Sequence, residues 1–122
     1  MIGYITIGTN DLDRATAFYD RIAEALGGRR VFQNDRGRGY STGKGTSMLM
    51  VMRPHDGKPA TVGNGVMPAL ITDSKEKVDA VYKLALELGG KDEGAAGPRG
   101  ERFYGGYFRD LDGNKLVVYT MT

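Results

Sequence analysis

Apolar and polar positions along the chain change period at regular intervals. In YITIGT, Tyr4 to Thr9, they alternate, with Ile5 and Ile7 on one side and Tyr4, Thr6 and Gly8 on the other, the two-residue period of a half-buried strand. From about Asp11 to Leu26 the period lengthens. Leu12, Ala15, Tyr19, Ile22 and Leu26 recur at spacings of three and four, while Asp13, Arg14, Asp20, Arg21 and Glu24 stay off that stripe, which predicts an amphipathic helix. Three strand-like segments follow, RRVFQ, RGYST and SMLMVM, separated by turn residues at Asn34 to Gly37 and around Gly43 to Gly45.

The succession then repeats. VMPALIT predicts a strand, and Val78, Val81, Ala85 and Leu88 form the stripe of a helix over about Ser74 to Leu88. Asp73 and Glu76 have capping-box spacing, and Gly89 stands where a left-handed C-terminal residue is wanted. KDEGA, FYGGYFRD and KLVVYTM supply three more strands, with Asp112-Gly113 as a hairpin turn before the last. Sliding the chain along itself so that Asp11 meets Asp73 also brings Ile22 onto Leu84, Ala23 onto Ala85, Leu26 onto Leu88 and Gly27-Gly28 onto Gly89-Gly90. The prediction is an α+β chain of two tandem βαβββ modules, about 1–54 and 65–122, joined by a turn-rich linker over about 55–64. Each copy alone buries too little surface, so the two are expected to share one domain over 1–122.

Composition narrows the class without changing that picture. A chain of 122 residues, 40% apolar and 26% charged, suits one soluble globular domain. With no cysteine, disulfides, thiolate metal sites and cysteine nucleophiles are excluded. No apolar run approaches the length of a membrane span and no signal-peptide pattern opens the chain, so a cytoplasmic protein without membrane contact is expected. A net charge of +2 is too small for an electrostatic nucleic-acid footprint, and nucleic acid is not expected as a partner.

The duplicated order, together with TNDLDRATAFYDRIAEALGG, DSKEKVDAVYKLALELGG and RDLDGNKLVVY, resembles the glyoxalase/bleomycin-resistance/extradiol-dioxygenase superfamily, the vicinal oxygen chelate fold. The resemblance implies paired modules forming a curved, incomplete β-barrel whose concave face holds a metal or a ligand, and it implies homodimers. It also implies where metal ligands belong: histidine at the start of the first strand of each module, glutamate in the last. Those positions fall here on Tyr4 and Met67 and, with Gly45 matched to Gly113, on Leu49 and Val117. Divalent ions need carboxylate, imidazole or thiolate, which none of the four supplies. No metal and no other cofactor is therefore expected. The single histidine, His55, lies in the linker.

With Leu49 matched to Val117, the alternating Met48, Met50 and Met52 are expected to face the helices, leaving Met67 toward the concave face. Tyr4 and Thr6 are candidate polar contacts in the cup. In GPRGERFYGGYFRD, Arg99 and Arg102 suit a carboxylate or phosphate, and Phe103, Tyr104 and Tyr107 suit stacking on a planar ligand. The candidate ligand-binding set is Tyr4, Thr6, Leu49, Met67, Arg99, Tyr107 and Val117, with no catalytic residue assigned. DRGRGY lacks the strand-to-helix setting and lysine of a phosphate loop, and no serine or threonine has a base partner for triad chemistry. The function expected is metal-free binding of a small, partly apolar molecule. The alternatives are a lyase or dioxygenase with a noncanonical or metal-independent site, and a non-catalytic interaction module.

Overall fold

The computed structural model describes residues 1–122 and contains two compact units, Met1–Val62 and Gly63–Thr122. The first runs β1 (Tyr4–Gly8), α1 (Leu12–Ala25), β2 (Arg29–Gln33), β3 (Gly37–Ser41) and β4 (Met48–Met52). The second runs β5 (Ala69–Ile71), α2 (Lys75–Glu87), β6 (Lys91–Arg99), β7 (Phe103–Arg109) and β8 (Lys115–Met121). Their sheets have the same topology, β1-β4-β3-β2 and β5-β8-β7-β6, with one parallel pair beside the antiparallel strands. The fold is α+β, two tandem βαβββ modules. No helix is long and apolar enough to cross a membrane.

Two helix starts are built alike. The Asp11 side chain accepts from Arg14 N, and that of Ser74 accepts from Lys77 N. Ser74 rather than Asp73 is therefore the N-cap of α2, and Asp73 instead lies 3.6 Å from Lys77. At the other ends, the duplicated Gly-Gly pairs close Schellman motifs: Gly27 N and Gly28 N donate to the carbonyls of Glu24 and Ala23, Gly89 N and Gly90 N to those of Leu86 and Ala85. The first glycine of each pair has positive φ, 81° at Gly27 and 101° at Gly89. The second lets the chain pass close to the sheet, since a Cβ on Gly28 would lie 2.6 Å from Ser41 O and one on Gly90 2.8 Å from Arg109 O.

In each unit the helix covers one face of the sheet. Tyr40 on β3 packs beneath α1, 6.1 Å from the Tyr19 ring, and donates to Asp20 Oδ1 at 2.8 Å. Asp20 also receives the Arg30 guanidinium at 2.5 Å. Under α2, Gly106 makes room for Tyr82, whose ring would meet an added Cβ at 2.9 Å, and Phe108, Leu116 and Val118 are fully buried. Each such apolar side chain contributes about 1.5–3 kcal/mol.

Two predicted strands change length. VMPALIT pairs only over Ala69–Ile71, because Pro68 has no N–H to donate and offers only its carbonyl, to Val117 N. KDEGA extends to Arg99 through two register shifts, around Gly94 and between Gly94 and Gly97. The stretch read as a linker contains the boundary between the units. Up to Ala60 it is tied to the first, where Asn10 exchanges two hydrogen bonds with the Ala60 backbone, at 3.1 and 2.6 Å.

The RDLDGNK turn is held by one buried carboxylate. Asp110 Oδ1 accepts from the backbone N–H of Asp112 and Asn114, both at 2.9 Å, and Oδ2 accepts from Asn114 Nδ2 at 2.9 Å. Asp110→Ala is expected to destabilise the protein by about 1–3 kcal/mol, read from the denaturant midpoint, because it strands these donors out of water.

A second expectation concerns pH. Burial, then the hydrogen bond to Asp20, raises the Tyr40 pKa above its ordinary value of 10.0. Folding thus keeps the Tyr40 proton, so this stabilisation is complete below the unfolded value and declines as pH rises from there toward the folded one. In an alkaline ultraviolet titration Tyr40 should ionise last, and Tyr40→Phe should flatten the loss of stability above pH about 10.

Candidate functional site

Strand alternation makes the two faces of each sheet chemically different, and the equivalence between units fixes which residues correspond. Thr9 N donates to Met52 O at 2.9 Å and Thr72 N to Tyr119 O at 2.8 Å, while each threonine hydroxyl reaches the carbonyl of the following N-cap residue, Asp11 or Ser74. Thr9 therefore matches Thr72, and Met52 matches Tyr119. Counting back along the strands, Met50 matches Val117 and Met48 matches Lys115. Tyr4, seven before Asp11, matches Met67, seven before Ser74.

This corrects one sequence-based assignment. Leu49 pairs across the ladder with Tyr40, which lies under α1, so Leu49 faces the helix and not the open face. Met48, Met50 and Met52 point the other way. A Cβ added at Gly39 would meet the sulfurs of Met50 and Met48 at 2.6 and 2.9 Å, and one at Gly37 would meet Met52 Cγ at 2.4 Å. The turn before β4 carries one residue more than the turn before β8, and one residue moves every side chain to the opposite face. Matching Gly45 to Gly113 by their turns misses that insertion, although both have positive φ.

On the helix-free face of the first sheet, Tyr4 pairs with Met48 and Thr6 with Met50. Tyr4 is 60% exposed and Met50 is 5% exposed. This face also holds Gly37, Gly39 and Phe32, and its one charged strand residue is Arg29, paired with Ser41 at the edge strand β2.

The helix-free face of the second sheet is aromatic and cationic. Val117 pairs with Tyr107 on one side and Ala69 on the other. The Phe103 and Tyr119 rings stack at 5.0 Å with planes 6° apart. The Arg99 guanidinium lies 5.4 Å and the Lys115 ammonium 5.7 Å from the centre of the Tyr107 ring. Arg109, on the same face, pairs with Glu93 at 2.7 Å, which holds the Glu93 carboxyl below its ordinary pKa. Met67 precedes β5 and is 40% exposed, and Arg102 lies in the turn before β7. Phe103, a sequence candidate for stacking, lies on this face, whereas Tyr104 points the other way and donates to Asp79 of α2 at 2.7 Å. Lys115 and Tyr119 were not among the candidates, though they stand two residues either side of Val117 and alternation places all three together.

The positions that would hold a metal do not fit one. Tyr4, Met67, Val117 and the corrected partner Met50 offer a phenol, two thioethers and an aliphatic group, and no three His, Cys, Asp or Glu residues gather where they would bind an ion. His55 is exposed. A polar hollow of about 770 Å³ lies elsewhere in the first unit, between the start of α1 and the β2–β3 turn. Its arginines serve the fold: Arg38 donates to the carbonyls of Asn34 and Gly37, and Arg53 to that of Asp35.

The fold recurs among solved structures. A glyoxalase/bleomycin resistance protein from Albidiferax ferrireducens is 30% identical, with a TM-score of 0.91 over 98% of both chains. A glyoxalase/bleomycin resistance protein/dioxygenase family enzyme from Burkholderia phytofirmans is 18% identical, with a TM-score of 0.77 over 98% of both chains. A glyoxalase-related enzyme from Fulvimarina pelagi is 21% identical, with a TM-score of 0.75 over 98% of this chain and 87% of that one. At those lower identities the likeness concerns the fold alone. None of the curated proteins matches the chain. The family model that does match spans residues 1–118, and with it the chain belongs to the Glyoxalase/Bleomycin resistance protein/Dioxygenase superfamily.

Proposed function

We propose that this protein binds a small, partly apolar molecule without a metal ion, using the helix-free sheet faces and acting as a homodimer. One observation carries the reading: where the family resemblance puts chelating side chains, this chain has Tyr4, Met67, Met50 and Val117, and Val117 sits among Tyr107, Phe103 and Tyr119. Such a surface gains from contact with an apolar or planar molecule, and a few polar groups, Tyr4, Thr6 and Arg99, set its orientation. Leu49 leaves the proposed set because it faces α1. The dimer is supported by sheet edges that carry exposed apolar side chains, Val31 at 48% and Phe32 at 41% on β2 and Ile71 at 65% on β5.

Metal dependence tests this reading directly. Zinc, manganese or nickel should leave the thermal midpoint unchanged, EDTA should do the same, and elemental analysis of protein purified without chelator should give far less than one transition metal per chain. A stoichiometric metal whose removal lowers the midpoint refutes it. Light scattering should give twice the chain mass of 13.2 kDa, and a monomer at micromolar concentration refutes the dimer.

Val117 is 1% exposed, so Val117→Glu should bury a carboxylate and cost a few kcal/mol at neutral pH. Because burial raises the folded pKa of that carboxyl, the loss should shrink as pH falls and the acid becomes neutral. Denaturant midpoints at neutral and acid pH check both statements.

A further inference from the structure

The second unit concentrates positive charge at one aromatic ring. Arg99 and Lys115 both approach Tyr107 and neither forms an ion pair, while Glu93 pairs with Arg109 and its charge also reaches Lys115 at longer range. Two cations sharing one ring repel each other, and an anion placed between them offsets that repulsion.

The position of Arg99 is built into the strand. Its Nη2 donates to Ala95 O at 2.8 Å and its Nη1 to Pro98 O at 3.2 Å, carbonyls turned toward it by the irregular course of β6. Gly94 leaves the space it occupies, since a Cβ there would lie 3.3 Å from Arg99 Nη2 and 3.2 Å from Tyr107 Cδ1. The remaining guanidinium N–H groups are not engaged by the protein, and a guanidinium presents its donors in a planar fork that matches a carboxylate. Lys115 supplies a second, more flexible point charge. Next to them the half-buried Phe103 and Tyr119 rings, stacked on each other, offer a planar apolar surface, with Val117 buried beneath.

We infer that the ligand is an organic anion with a planar or apolar body, a carboxylate of the aromatic or unsaturated kind, whose charged end is held by Arg99 and Lys115 over Tyr107 and whose body lies along the half-buried Phe103 and Tyr119 rings. This deepens the proposed function and rests on it. It also sets a direction of selectivity, because a cationic molecule would meet like charge where the anion meets opposite charge.

2-Naphthoate, its neutral isostere 2-naphthamide and the cation 2-naphthylmethylamine form a matched series for calorimetry and for amide shifts of isotopically labelled protein. Naphthoate should bind about tenfold or more tightly than the amide, with the amine weakest, and its shifts should centre on Tyr107 and Tyr119. In an Arg99→Gln, Lys115→Gln double variant, with an unchanged thermal midpoint as the check on folding, naphthoate should fall to the affinity of the amide while the amide stays as it was. Equal binding of all three probes, a double variant that still prefers naphthoate, or shifts away from β6, β7 and β8 overturns the inference and leaves apolar binding standing. Failure of every probe to bind at millimolar concentration overturns both.

Discussion

In each unit a single helix covers a single face of a four-stranded sheet, and the alternation of side chains then divides every strand residue between a packed face and an open one. Most of the structure follows from that division. Tyr40, Leu49 and Val51 in one unit, and Phe108, Leu116 and Val118 in the other, lie on the helix side and build the cores. The intervening residues become the chemistry-bearing surface without any special device. The constraint is unforgiving, because one inserted residue exchanges the two sets, and the extra residue before β4 does so relative to β8.

The two open faces have diverged within a common plan. The plan itself is held by small, repeated features: threonine at the end of the first strand, an N-capping side chain two residues on, and a Gly-Gly pair closing each helix. On that frame one unit places methionines over glycines, a soft apolar surface, where the other places aromatic rings and cations. The glycines at positions 37 and 39 give their space to methionine side chains, whereas the equivalent of Gly39 is Tyr107. On the first sheet the one charged residue of that face is Arg29 at the β2 edge, whereas the second sheet gathers two cations at one ring.

The DLDGN stretch has a purely architectural explanation. Asp110 is 5% exposed and its carboxylate serves backbone and side-chain donors inside its own turn, so it delivers β8 in register next to β7. What β8 then presents is decided by the residues after the turn. Here these are Lys115, Val117 and Tyr119 on the open face, a set suited to contact and charge pairing and not to coordination.

The sequence by itself determined the element order, both helices to within a residue at each end, the duplication and the family, because each rests on local period, capping and turn chemistry that a linear reading registers directly. It also placed Tyr107 and Val117 among the candidates, as they sit in strongly patterned strands. The side to which Leu49 and the methionines point lay beyond it, since that depends on pairing register, and the turns before β4 and β8 look alike while differing in length. The convergence of Arg99 and Lys115 on one ring lay beyond it too. Those residues stand on β6 and β8, on opposite sides of β7, and only the register of three strands, with β6 irregular at Gly94 and Gly97, brings their charges together.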